Sequence, residues 1–263
     1  MNSFLTLFRI SLEQYFIYRL SFVLWRFRMV LNFLLIFFLW SAIYENKVSL
    51  FGYSRQEMFT YILIMNLLGA LLFSSRTGDL AGEIRDGKVI NYIMKPFSVL
   101  RQLLTKEAAD KLINGSFQIV ETVSIILIFK PPMFIQSDPF VYVAVLVSLC
   151  INILISFLVL YLLSLIAFWT AEVWAPRFIY FIFISLLSGS MYPLDILPKS
   201  LYTILLFTPF PYFNYLPTRI YLKGFSVSLI FPFFMSLVWV VILYFLSRKI
   251  WNKGMKEFSF FGR

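Results

Sequence analysis

The stretch GEIRDGKV, Gly82 to Val89, has residue types and spacing that suit phosphate chemistry. A P-loop reads G-x-x-x-x-G-K-[ST]. Its backbone N–H groups cradle the phosphates, its Lys reaches the terminal ones, and its Ser or Thr holds magnesium. Gly82, Gly87 and Lys88 fit the first seven places, but Val89 stands where the hydroxyl belongs. A P-loop also follows a buried strand, whereas the upstream residues LLGALLFSS read as the end of an apolar helix. No apolar run ending in Asp supplies a second magnesium ligand. The match is therefore expected to be accidental, and no nucleotide-binding domain is expected in the chain.

The second chemical candidate is a carboxylate. Glu121 falls in the middle of an apolar run, one helical turn from Gln118. An ionisable group at such depth is costly and is a functional candidate by default. Two uses stay open. Glu121 could line a substrate path or accept protons, or it could bond across helices, toward the Asn114 side or a second subunit. Asn66 and Asn152 pose the same question more weakly and read as interhelical bonds.

Little other chemistry is available. The chain has no His and one Cys, Cys150. That leaves no His–Cys metal cluster, no Ser–His–Asp triad and no intrachain disulfide. No catalytic residue, metal or bound cofactor is expected in this chain, and enzymatic activity is not expected of it.

The elements that must position these residues follow from composition. Of 263 residues, 60% are hydrophobic and 14% charged. A soluble domain has about 45–50% and about 25%. A water-soluble core could not hide this apolar excess, so lipid must cover it, and the fold class is all-α integral membrane. Six apolar runs are candidate spans: Met29–Ile43, Phe59–Phe73, Leu112–Phe129, Phe140–Trp169, Phe178–Met191 and Ser228–Leu246. The first, second and fifth are short against the ~20 residues that a crossing needs, and must borrow from their flanks.

With the N-terminus inside, seventeen of the 23 Lys and Arg fall on the cytoplasmic side; only Lys47, Arg55, Lys130, Lys199, Arg219 and Lys223 fall outside. The positive-inside rule thus predicts six spans with both termini cytoplasmic. The same rule accounts for the net charge of +10, and nucleic acid is not an expected partner.

Residues 1–21 read as an interfacial amphipathic helix, with Asn2, Thr6, Arg9 and Glu13 on one stripe and Phe4, Leu5, Phe8 and Leu12 opposite. They do not read as a signal peptide, because Arg9, Glu13 and Arg19 interrupt the apolar stretch. The cytoplasmic connection is 74–111 and the external one 192–225. The external one is divided by Pro193, Pro198, Pro209, Pro211 and Pro217 yet stays apolar. It suggests short re-entrant helices, with Tyr202, Tyr212, Tyr215 and Tyr221 near the headgroups. The whole of 1–263 reads as one transmembrane domain.

Within the cytoplasmic connection, Leu80–Asp86 reads as a short amphipathic helix ended by Gly87. Leu80, Ala81 and Ile84 share a face, against the polar Glu83, Arg85, Asp86 and Lys88. A mixed-charge helix with an exposed apolar edge suits docking to a soluble partner; a juxtamembrane helix lying on lipid suits the same residues. Arg26 and Arg28 are expected to snorkel to phosphates, with Glu13 as another partner for Arg28. Glu172 and Arg177 flank the turn between the fourth and fifth spans and read as a solvated turn or a minor second contact. The tail RKIWNKGMKEFSFFGR is expected to rest on anionic lipid.

At this point a family pattern is visible. LAGEIRDGKVINYIMKPFSVL resembles the cytoplasmic stretch of ABC-2 family membrane subunits, where a variant of I-x-x-G-x-(two to five residues)-L-x-x-P follows the second span, with Met94 where Leu is more usual. LLSGSMYPLDILPKSLYTILLFTPFPYFNYLPTRIYLKG resembles that family's region after the fifth span. The resemblance implies a permease half of an exporter in the plasma membrane, a bacterial inner or cell membrane. It would pair with a second permease subunit, as homodimer or related heterodimer, and dock a separate ATPase that holds ATP and Mg. Leu80, Glu83, Ile84, Arg85, Asp86, Gly87 and Lys88 would form its coupling helix. The competing expectation is a self-sufficient secondary transporter or channel that uses Glu121. Matching inverted halves would support it, and none are visible.

Overall fold

Helices that are apolar on all sides belong in lipid or in a large core, and the long runs of this chain fold that way. The computed structural model describes residues 8–10, 13, 19–95, 98–170 and 172–258. The long helices are α1 (Arg19–Ile43), α2 (Arg55–Phe73), then, after the short α3 (Leu80–Arg85) and α4 (Ile90–Ile93), α5 (Val99–Phe129), α6 (Pro139–Leu165) and α7 (Trp174–Leu187). Two more short helices, α8 (Lys199–Leu205) and α9 (Tyr215–Lys223), precede the last, α10 (Ile230–Glu257). An antiparallel hairpin, β1 (Ser49–Leu50) and β2 (Tyr53–Ser54), joins α1 to α2 with Leu50 opposite Tyr53. Its two turn residues, Phe51 and Gly52, both have positive φ, 54° and 79°, as the tight turn of a twisted hairpin requires.

All six expected runs form helices, but they are not six equal spans. The stretches in α1, α5, α6 and α10 are each long and apolar enough to cross a membrane. α2 reaches that standard only together with the segment after it, across a bend of 41°. α7 has 14 residues, about 21 Å at ~1.5 Å per residue, too short to cross alone. α5 starts at Val99, well before the expected Leu112. Ser98 caps it by accepting from the Arg101 amide at 3.4 Å, and no Gly or Pro interrupts the polar turns that follow. At its far end Lys130 turns left-handed, φ 43°, before Pro131 and Pro132. α10 likewise runs on to Glu257, past the expected Leu246. Most of the expected interfacial helix 1–21 lies outside the described residues; within it, Arg9 and Glu13 pair at 2.8 Å.

α6 is the central post. It packs against α10, α9, α2 and α3, burying Ile155, Phe157, Leu160, Tyr161 and Leu165. Leu35, Phe38, Leu127, Ile128, Phe140 and Phe245 point outward and are exposed. An apolar surface that continuous would associate in water and is at rest only in hydrocarbon. The bundle has two different ends. One, the basic end, gathers α3, α4, the start of α5, the turn 166–170 and the finish of α10. The other, the tyrosine end, gathers the hairpin, residues 130–138 and the segment 188–229.

Candidate functional site

The segment containing GEIRDGKV follows a helix, not a strand, and forms α3 plus a turn, so the P-loop reading fails on geometry as well as on Val89. α3 is approached through a linker whose backbone is bound on every side. The last carbonyls of a helix have no partner within it; here tertiary side chains supply partners. Ser156 of α6 donates to the Leu72 carbonyl at 2.8 Å, and the Lys111 ammonium of α5 to that of Ser74. Ser164 of α6 donates to the Thr77 carbonyl at 3.0 Å. The Arg177 guanidinium of α7 donates to the Gly78 carbonyl and reaches the Ser164 hydroxyl at 3.3 Å. Arg177 therefore faces inward, onto the linker. Glu107 of α5 accepts from the hydroxyls of Ser75 at 2.8 Å and Thr77 at 3.0 Å and pairs with Lys111 at 2.8 Å. Glu107 and Lys111 are both buried. Such a pair specifies geometry more than it adds stability.

α3 itself departs from expectation in one respect. Its apolar edge is not exposed: Leu80, Ala81 and Ile84 are buried, because α3 lies on α6 and on the turn Ile166–Phe168. Glu83 turns inward as well, 3.5 Å from Lys106 of α5. What remains outside is Arg85, Asp86 and Lys88. Asp86 lies 3.2 Å from Arg85 and 3.3 Å from Lys88; hydrogen bonds from Arg85 and then Lys88 hold its carboxyl below the ordinary range. Gly87 adopts φ 73° and stops the helix, as expected from its freedom in the left-handed region. α4 is pinned in turn. The Tyr92 carbonyl accepts from Gln102 at 2.8 Å, and its hydroxyl accepts from Lys106. Burial, then a bond to Glu83, raises the Tyr92 hydroxyl well above its ordinary value. Ile93, Met94 and Lys95 are exposed beside the tip of α3.

The intramembrane carboxylate has a partner that sequence reading placed elsewhere. Arg26 of α1 donates through Nε to Glu121 at 2.6 Å and through Nη2 to Gln118 at 2.9 Å. Arg26 is 5% exposed, so it does not snorkel to phosphates, while Arg28 one turn-face away is exposed. Asn114 donates to the Asp110 carbonyl at 3.1 Å. Along α5, Glu121 is about 15 Å from Lys111 and about 12 Å from Phe129 at ~1.5 Å per residue, so the ion pair sits deep within the bundle. A bidentate guanidinium is the side chain best suited to compensate a carboxylate there. Asn152 donates to the Phe213 carbonyl at 3.4 Å, a backbone group in the turn before α9 and not on another helix.

At the tyrosine end, the Tyr53 hydroxyl donates to the Asp195 carboxylate at 2.9 Å. Arg219 of α9 donates to the same carboxylate and to the Tyr53 hydroxyl at 3.3 Å. Burial, opposed by Arg219, raises the Tyr53 hydroxyl to about 12. Lys223 pairs with Glu57 at 2.7 Å. Tyr212 and Tyr215, expected among headgroups, are buried, since the segment between α8 and α10 folds onto α6 and α2. In the described part of the tail, Trp251 and Phe258 pack on Phe168, with ring centroids 5.6 and 6.0 Å apart, while Lys253 and Lys256 stay exposed; residues 259–263 of the expected lipid-resting tail lie outside the described residues. Sequence reading missed Glu107, Lys111 and the Asp195–Arg219 pair. The i, i+4 spacing of Glu107 and Lys111 was the available signal. Among the described residues, no cluster of three or more Asp, Glu or Cys could hold a metal.

A bundle of long apolar helices with a short helix docked at its basic end is a multi-pass membrane protein. Residues 30–262 match the family described as ABC-2 family transporter protein; the chain belongs to that family. Membership supports a permease of an ABC-type transporter and implies partnership with an ABC ATPase. No curated protein matches the sequence.

Proposed function

We propose that the chain is the membrane-spanning half of an ABC-type exporter, with ATP and magnesium held in a separate ATPase subunit and an unidentified substrate moved outward. Seventeen inward basic residues favour a cytoplasmic basic end with both termini inside. The short α7, continued by the segment 188–223, of which 211–218 is buried, completes a fifth crossing and α10 the sixth, in the plasma membrane. A second permease chain, identical or related, completes the path, as the family pattern implies. Leu80–Lys88 receives the ATPase. ATP binding supplies a differential affinity between two conformations, which is what a population shift needs.

The observation that carries this reading is the setting of α3. A docking helix must be firm behind and polar in front. Leu80, Ala81 and Ile84 fix it to the bundle, the linker bonds tie it to α5, α6 and α7, and Arg85, Asp86 and Lys88 face outward. The pairing of Glu121 with Arg26 and of Arg26 with Gln118 favours a clamp between α1 and α5 over a proton-coupled path through Glu121.

The test is to purify the tagged chain from its native cells and assay the eluate for ATPase activity. A co-purifying ATPase that is lost when Arg85 and Lys88 are both changed to Glu supports the reading. A partner-free protein that transports in proteoliposomes under an ion gradient overturns it.

A further inference from the structure

α10 is longer than a bilayer requires. Its 28 residues span about 42 Å, against ~30 Å of hydrocarbon. Counting from Ile230, the surplus of about 12 Å corresponds to roughly the last eight residues, Ile250 to Glu257. This overhang does not stand free. Trp251 stacks on Tyr161 of α6 with centroids 6.3 Å apart and meets Phe168 edge-on at 5.6 Å. Phe258 also meets Phe168 edge-on, at 6.0 Å.

Gly254 is the closest point. A Cβ placed there would lie 2.3 Å from Phe168 Cδ2 and 2.6 Å from Cγ. Glycine inside a helix is destabilising relative to Ala, so its presence here has a packing reason: no other residue lets the α10 backbone touch the Phe168 ring. Phe168 is itself buried. It belongs to the turn Ile166–Phe168, which touches both α10 and α3. The overhang, the ring and the short helix form a continuous stack.

We infer that the end of α10 is a buttress for α3, with Gly254 and Phe168 as positioning residues that hold the Leu80–Lys88 tip in its docking attitude and pass load between it and the last span. The chemistry is close packing of aromatic rings, which transmits displacement because packed interiors are stiff. The functional half of this inference rests on the permease reading; the mechanical half does not.

Hydrogen exchange on the full-length chain in nanodiscs tests it. In Gly254→Val, amides of residues 80–89 should exchange roughly tenfold faster, with peptides from the hairpin 49–54 and from 211–220 unchanged. Phe168→Ala removes the ring without a clash and should free the same amides. Phe168→Leu combined with Gly254→Val makes room for the added side chain and should return exchange at 80–89 to within about threefold of wild type. Unchanged exchange at 80–89 in both single variants overturns the buttress, and so does a uniform rise in every peptide. Neither result depends on a partner. A partner-free chain that transports under an ion gradient would overturn the permease reading while leaving the exchange result standing.

Discussion

The two connecting segments of this bundle, 74–95 at the basic end and 188–226 at the tyrosine end, are built from similar parts and solved differently. Each is broken into short helices by Gly or Pro, and each lies against α6. At the tyrosine end three charges close on partners within the chain, Arg219 on Asp195 and Lys223 on Glu57, while Lys199 stays exposed. Asn214 donates to Ser188 at 3.1 Å, and residues 211–218 are buried throughout. At the basic end the root is just as closed, through Glu107, Lys111 and Arg177. Its tip is not: Arg85, Asp86 and Lys88 pair only with one another, in water. Closed polar networks fix a shape. A rigid root bearing a solvated tip is a shape prepared for something outside the chain.

The comparison predicts where substitutions hurt stability and where they hurt only function. The largest effect is expected inside. Arg26→Leu alone or Glu121→Leu alone leaves a buried charge unpaired and should cost about 3–5 kcal/mol. The double variant should recover much of that loss, because a hydrophobic pair of similar volume is often neutral or better. Thermal midpoints of the detergent-purified variants would read both. A double variant as damaged as the singles would mean that the pair serves more than a clamp.

Gly189→Ala comes next. Gly189 has φ 82°, and an added Cβ would lie 2.8 Å from Tyr215 Cβ and from the Tyr61 hydroxyl. Strain and overpacking should together cost about 1–3 kcal/mol, and limited proteolysis should cut within 188–226. Gly87→Ala shares the positive φ but meets nothing within 4 Å, so only the backbone penalty of about 1–2 kcal/mol applies. Equal losses at the two glycines would erase the distinction between a packed end and an open one.

Ser54→Ala removes one half of a capping box, in which Ser54 accepts from the Glu57 amide at 3.2 Å and Glu57 accepts from that of Ser54 at 2.7 Å. About 1 kcal/mol is expected from α2, readable as a lower thermal midpoint. The smallest stability change is predicted for the tip. Arg85→Glu with Lys88→Glu should alter stability by no more than about 0.5 kcal/mol, yet abolish ATPase association. A marked fall in thermal midpoint would show that the tip belongs to the closed part of the structure.

Membrane residence, six helical runs and the family were legible in the residues because they rest on composition, run length and a local pattern. Gly87 as a helix stop was legible for the same reason: positive φ is a local need. Partner choice was not. Arg26 near the start of an apolar helix looks like a snorkelling residue until α5 places Glu121 and Gln118 beside it, 95 and 92 positions away. Tyr212 and Tyr215 look interfacial until the fold lays them on α6 and α2. The apolar face of Leu80 and Ile84 was readable, but whether lipid, a partner or the chain itself covers it was not.

The sequence by itself therefore determined the solvent, the approximate number and extent of helices and the places where they stop, since hydrophobicity and backbone preference act over a few neighbouring residues. Tertiary structure alone decided which buried charge meets which, how the linker carbonyls are satisfied, and that Gly254 is a contact point. Those depend on distances between residues far apart in the chain, and a buried polar group is satisfied or not only once the helices have packed.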